Sequence, residues 1–230
     1  MAGRLWGIGL GPGDPELITV KAVRLIAECP VVAYFAKAGR KGNARAIADR
    51  WIPASAEEMP LYYPVTTEIP VDHPDYNATL AANLEAGRDV ALIAEGDPLF
   101  YGSFMHLYLR LRDKYEARIV PGVTGMAGCS ASAGAPMTWG DDILTVLPGT
   151  LPYDDLVQRL RGADAAVVMK LGRNFDKVRS AFAEAGLLAR AIYVERGTME
   201  GEKVTPLAEK ADAGAPYFSL ILLPGQGRRP

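Results

Sequence analysis

Two glycine-rich turns hold the residues best suited to chemistry. One is Gly7-Ile8-Gly9-Leu10-Gly11-Pro12-Gly13-Asp14, and the other is Glu95-Gly96-Asp97-Pro98-Leu99-Phe100-Tyr101-Gly102. Each follows a short apolar run, Arg4 to Leu10 in one case and Val90 to Ala94 in the other. A helical pattern comes after each turn. Such a turn lies where a strand of a parallel sheet ends, and open α/β sheets bind ligands there. Glycine lets the backbone approach a ligand closely, aspartate brings a carboxylate, and proline stiffens the loop. The acid also has a plainer use as an acceptor at a helix start. Two such turns suggest one ligand shared between them and held through backbone atoms.

Several chemistries are excluded. Pro12 takes the third glycine position of G-x-G-x-x-G, and Val31 to Ala38 contains no acid for a ribose, so a nicotinamide dinucleotide is not expected. No P-loop sequence occurs. The histidines are His73 and His106, neither at metal-ligand spacing, and no metal is expected. Cys29 and Cys129 form no C-x-x-C pair and read as buried thiols. No nucleophile–base pair is evident.

The elements that must position these turns follow from periodicity. Strands are expected at 4–10, 31–35, 90–94, 117–120, 143–147, 165–169, 191–195 and 216–223. Helices are expected at 19–28, 43–51 with Asn43 as N-cap, 76–86 closed by Gly87, 103–115, 154–161 and 176–185. Residues 53–73 are proline-rich and lack a period. Alternating strands and helices with short connections indicate an α/β fold. The Gly-, Ala- and Ser-rich stretch Pro121 to Gly140 reads as a seam between halves, either a flexible linker or a place of close backbone approach.

The 230 residues carry 25 Lys and Arg against 27 Asp and Glu, a formal net charge of −2. That balance gives no broad basic field, so nucleic acid is not an expected partner. No cleavable apolar leader is expected, and apolar stretches such as Phe218 to Leu223 are too short to cross a bilayer. No membrane partner and a cytoplasmic location are expected.

Gly9-x-Gly11-Pro12-Gly13-Asp14-Pro15 with Leu17-x-Thr19-x-Lys21-Ala22, then Gly96-Asp97-Pro98-x-x-Tyr101-Gly102, then Val120-Pro121-Gly122-Val123-Thr124 resemble the tetrapyrrole (corrin/porphyrin) methyltransferases in order and spacing. The likeness runs the whole chain. Further segments resemble the branch that methylates precorrin-2 at C(20) in the aerobic cobalamin route. These are Gly140 to Leu151, Met169-Lys170-Leu171-Gly172-Arg173-Asn174, Tyr193 to Met199 and Pro216 to Leu220. Three alternatives stay open: the cobalt-containing substrate of the anaerobic route, a relative acting on RNA or a protein side chain, and a non-catalytic S-adenosylmethionine-binding module.

The resemblance implies two α/β subdomains, 1–121 and 122–230, with S-adenosylmethionine in a cleft between them, in the manner of class III methyltransferases. The positions it implies for the cofactor are Pro12, Glu95, Gly96, Asp97, Phe100, Thr124, Gly125 and Gly197, with Met169 and Leu171 as candidates. It also implies a homodimer. A tetrapyrrole carries many carboxylates, which Arg and Lys would hold. Lys37, Arg40, Lys41 and Arg45 form a basic run after the second strand and are candidates for that grip, with Tyr101 beside the cofactor turn; a solvated loop is the bland alternative. No catalytic base is assigned: Tyr34-Phe35-Ala36 replaces the acid that some relatives carry there. Tyr62, Tyr101, His73 and tautomerism of the ring remain possible.

Overall fold

The computed structural model describes residues 1–37, 39–62, 75–212 and 214–227. The chain divides into two compact units, Met1–Thr124 and Gly125–Pro230.

The first unit is a parallel sheet covered on both faces. Its strands are β1 (Leu5–Gly9), β2 (Val31–Ala36), β3 (Glu57–Tyr62), β4 (Val90–Ala94) and β5 (Ala117–Val120). They lie in the order β3-β2-β4-β1-β5, and every pairing is parallel. All residues of β1 and β4 are buried, as expected of strands covered on both sides. The helices are α1 (Val20–Glu28), α2 (Asn43–Ile47), α3 (Tyr76–Glu85) and α4 (Phe104–Leu111). α1 starts where Thr19 Oγ1 accepts the Ala22 N–H at 3.2 Å. Ala22, Leu25 and Ile26 of α1 and Ala44 and Ile47 of α2 pack on one sheet face with Ile8, Val32 and Ile93. Leu80 and Leu84 of α3 and Phe104 and Leu107 of α4 cover the other face with Leu5, Val31 and Leu92.

The second unit begins with α5 (Gly125–Ala133), followed by β6 (Leu144–Pro148), α6 (Tyr153–Arg161), β7 (Ala165–Met169), α7 (Phe175–Glu184), β8 (Ile192–Glu195), β9 (Lys203–Pro206) and β10 (Ser219–Leu223). The sheet order is β6-β7-β10-β8-β9. Only β6 and β7 pair in parallel; β10 runs antiparallel to β7 and β8, and β9 antiparallel to β8. α6 and α7 cover one face through Leu156, Leu160, Phe175, Val178 and Phe182. The other face meets Cys129 of α5 through Val167, Val194, Leu220 and Leu222.

Four features differ from the expected elements. β3 crosses the supposedly aperiodic proline segment, and its Pro60 is tolerated because β3 is an edge strand with β2 as its one partner. The stretch Pro121 to Gly140, read either as a flexible linker or as a place of close backbone approach, contains α5. β9 is a short polar strand that periodicity does not reveal. α2 ends at Ile47, and its N-cap is Gly42, which makes no side-chain cap bond; Asn43 already lies inside the helix.

Candidate active site

The loops after β1, β4 and β5 meet backbone to backbone. Gly96 donates its N–H to the Gly11 carbonyl at 2.8 Å, and Gly11 donates back to Gly96 at 3.2 Å. A Cβ on Gly9 would stand 2.6 Å from both Gly122 N and Gly96 O. A Cβ on Gly122 would stand 2.1 Å from Gly96 O. Gly96 also has a φ of 62°, in the left-handed region. Side chains at these points would drive the three loops apart.

Asp97 locks the same junction. Its Oδ1 accepts the Leu99 N–H at 2.9 Å, and its Oδ2 accepts the Gly122 N–H at 3.1 Å. It does not cap a helix, because α4 starts later, at Phe104. The carboxylate thus braces the loop after β4 against the loop after β5. Pro12 and Pro98 are buried beside it, and Phe100 is half-buried. The Phe100 ring meets the Tyr101 ring edge-on at 5.0 Å. Tyr101 is exposed and holds a left-handed φ of 56°.

Glu95, the first residue after β4, is half-buried. It accepts hydrogen bonds from the Asn43 side chain and the Ala44 N–H, supplying the acceptor that Gly42 lacks at the start of α2. Loss of water around the carboxyl raises its pKa, and those bonds offset only part of the rise.

The basic run after β2 separates into two kinds of residue. Lys37, Arg40 and Lys41 are exposed, and Arg40 donates its N–H to the Lys37 carbonyl at 3.0 Å. Lys41 stands 3.9 Å from Asp49. Arg45 turns inward instead. It forks onto Glu58 at 2.5 and 2.9 Å and reaches Asp49 at 2.5 Å, with its side chain 14% exposed. Tyr34 donates to the same Glu58 at 2.9 Å. The Arg45 guanidinium holds the Glu58 carboxyl below its usual range, and burial with the Glu58 bond pushes Tyr34 up to about 12. Arg45 is therefore committed to the fold and leaves the group of candidate substrate contacts. Tyr62 is exposed, and its carbonyl accepts from Tyr76 Oη at 2.5 Å. His73 lies outside the described residues.

Thr124 closes the first unit and Gly125 opens the second. A Cβ on Gly125 would meet nothing within 4 Å. Gly197 is crowded, for its Cβ would stand 2.7 Å from Cys129 Sγ. Its N–H donates to that sulfur, and burial pushes the thiol up to about 11. The Met169 carbonyl accepts the Gly149 N–H at 2.6 Å, and the Met169 side chain is half-buried. Leu171 is 1% exposed and belongs to the core, and its carbonyl accepts the Asn174 N–H at 2.7 Å.

Among the described residues, the non-glycine residues with positive φ are Tyr101, Lys170, Arg196 and Thr198. They follow β4, β7 and β8. Each such residue costs about 1–2 kcal/mol, and strain of this kind gathers at functional sites. The sequence made Tyr101 a site candidate and placed the others only within family-like segments, because nothing in the residue types marks a left-handed backbone. No group of three or more His, Cys, Asp or Glu able to hold a metal occurs among the described residues. No helix among them is long and apolar enough to cross a membrane.

The family model for Tetrapyrrole (Corrin/Porphyrin) Methylases matches residues 4–211. The chain belongs to this family. Tetrapyrrole methylases are S-adenosylmethionine-dependent methyltransferases, and the motifs around Gly11 and Gly96 are among those that carry the resemblance. The chain is 53% identical to a precorrin-2 C(20)-methyltransferase of Sinorhizobium sp., over 99% of its own length and 98% of the relative's. It is 32% identical to a cobalt-precorrin-2 C(20)-methyltransferase of Salmonella typhimurium, covering 97% of each. Its fold is similar to that of a solved uroporphyrin-III C-methyl transferase from Thermus thermophilus complexed with S-adenyl homocysteine. That match has a TM-score of 0.72 and 26% identity, with 98% of each chain covered.

Proposed function

We propose that this tetrapyrrole methylase transfers the methyl group of S-adenosylmethionine to C(20) of precorrin-2, giving precorrin-3A, in cobalamin biosynthesis. The observation that carries this reading is the 53% identity to a precorrin-2 C(20)-methyltransferase, spread over 99% of the chain.

When bound, S-adenosylmethionine supplies an electrophilic methyl group on a sulfonium. The chain's own task is to hold and orient the two reactants, and alignment alone lowers a barrier by several kcal/mol. In this reading Pro12, Glu95, Gly96, Asp97, Phe100, Thr124, Gly125 and Gly197 serve the cofactor, with Met169 and Leu171 as further candidates. Asp97 acts by holding the loops in register, since both its oxygens are engaged. The left-handed Tyr101 and the exposed Lys37, Arg40 and Lys41 serve the substrate. The chain works in the cytoplasm as a homodimer, a state that light scattering would check.

The test is an anaerobic incubation of the protein with S-adenosylmethionine and precorrin-2, read by mass spectrometry. A gain of one methyl group at C(20) is expected. Binding of S-adenosylmethionine without turnover would make the chain a binding module instead. The similarity to the Salmonella typhimurium relative favours a second reading, with cobalt-precorrin-2 as substrate. Parallel assays with both substrates separate the two.

A further inference from the structure

Three segments far apart in sequence come together at one end of the second sheet. β8 ends at Glu195, and the next residue, Arg196, donates its N–H to the Phe218 carbonyl at 2.8 Å. β10 starts at Ser219, opposite Glu195 in the ladder. β7 runs antiparallel to β10, so its last residue, Met169, and then Lys170 reach the same end. The edge thus carries Lys170, Tyr217 and Arg196.

Two of these residues hold a backbone that glycine would hold without cost. Arg196 has a φ of 53° and Lys170 a φ of 56°. A cationic side chain is kept at each despite the strain. Both are exposed, and Tyr217 is 78% exposed. Two nearby carboxylates, Glu195 and Glu202, are already engaged. Glu195 accepts from Tyr193 Oη at 2.9 Å and faces Lys203 Nζ at 3.3 Å. Glu202 accepts from Ser132 Oγ at 2.5 Å and from the Thr198 N–H at 2.6 Å. Among the described residues Arg196 forms no ion pair. The edge therefore presents a guanidinium, an ammonium and an aromatic face, a set that fits an anionic ligand with a planar body.

We propose that Arg196, with Lys170 and Tyr217 beside it, grips a carboxylate side chain of the tetrapyrrole and sets how the macrocycle lies against the second unit. This inference rests on the tetrapyrrole reading above and assigns the substrate grip to residues of the second sheet. Arg196 makes the bidentate contact. Lys170 adds charge, and the Tyr217 ring lies along the macrocycle.

The test is Arg196→Gly, the substitution that this backbone accepts most easily. The variant is expected to fold with an undiminished Tm and to bind S-adenosylhomocysteine with unchanged Kd, while KM for precorrin-2 rises roughly tenfold. Arg196→Lys is expected to fall between the two. An unchanged KM for precorrin-2 overturns the proposal, and so does an equal loss of S-adenosylhomocysteine and tetrapyrrole binding. Fluorescence titration with uroporphyrin, a tetrapyrrole with eight carboxylates, keeps the two readings apart. If the unaltered protein transfers no methyl group to precorrin-2, the proposed activity fails. Weaker uroporphyrin binding by Arg196→Gly would still support the grip, and equal binding would overturn it.

Discussion

The first sheet ends in loops stripped of side chains where they meet. Gly9, Gly96 and Gly122 bring three backbones within contact, and Asp97 ties two of the loops by its carboxylate. The second sheet ends in loops that keep large side chains on a backbone suited to glycine at Lys170 and Arg196, which the first sheet does at Tyr101. Arg45 and Arg196 sharpen the contrast. Arg45, after β2, is folded inward onto Glu58 and Asp49, whereas Arg196, after β8, is exposed. One edge gives up side chains to bring main chains close. The other accepts backbone strain to keep side chains in place. A strand end can thus serve a ligand by shape or by charge, and the backbone conformation tells which.

Breaking the first edge should have the largest effect. Gly122→Val places a branched side chain where even a Cβ would lie 2.1 Å from the Gly96 carbonyl. Overpacking against backbone that cannot yield costs about 3 kcal/mol or more. A sharp fall in Tm is expected, with loss of S-adenosylhomocysteine binding. The same logic applies to Gly96→Val, where the positive φ and the paired backbone groups tie folding and binding together. A Gly122→Val protein with unchanged Tm would break the picture of three loops in contact.

The two arginines come next. Arg45→Ala leaves the carboxylate of Glu58 beside Tyr34 without its cation, at a cost of about 2 kcal/mol once the partial exposure of Glu58 is allowed for. Thermal melts should show that loss at Arg45 and none at Arg196→Gly. If both variants lost stability alike, the distinction between an inward structural arginine and an outward binding one would fall.

Much of the first edge was legible because its signals are local. Gly11, Pro12, Gly96 and Asp97 stand next to continuous apolar strands. What escaped depended on distant partners. Arg45 looks like one more cation in a basic run until Glu58 folds beside it from β3. β3 was hidden by its own Pro60, which an edge strand tolerates. α5 was hidden because Gly125 to Ala133 contains mostly small residues, which leave no apolar stripe. Its reason for being small is the close approach of Gly197 to Cys129, residues far apart in the sequence. β9 has four residues, Lys203-Val204-Thr205-Pro206, too few for alternation to stand out. The mixed second sheet follows from that strand and from β10, whose direction no local pattern encodes.

The smallest effect concerns the one carboxyl that the first edge draws out of water. Glu95 has its pKa raised by burial, while Asn43 and Ala44 hold it at the start of α2. A carboxyl with a raised folded pKa binds its proton more tightly in the folded state. Its contribution to stability is therefore greatest below the unfolded pKa and declines as pH rises from there through the folded value. Glu58 behaves in the opposite sense: its lowered pKa gives stability that is present above the unfolded pKa and lost as pH falls through the folded one. Glu95→Gln keeps an acceptor for the Ala44 N–H and removes the titration. The variant is expected to match or slightly exceed the parent Tm at neutral pH and to lose that advantage on acidification. Thermal melts across that range check the sign. A Glu95→Gln protein that is markedly less stable at neutral pH would mean that the charge itself holds α2, and the first edge would then rely on electrostatics as well as on shape.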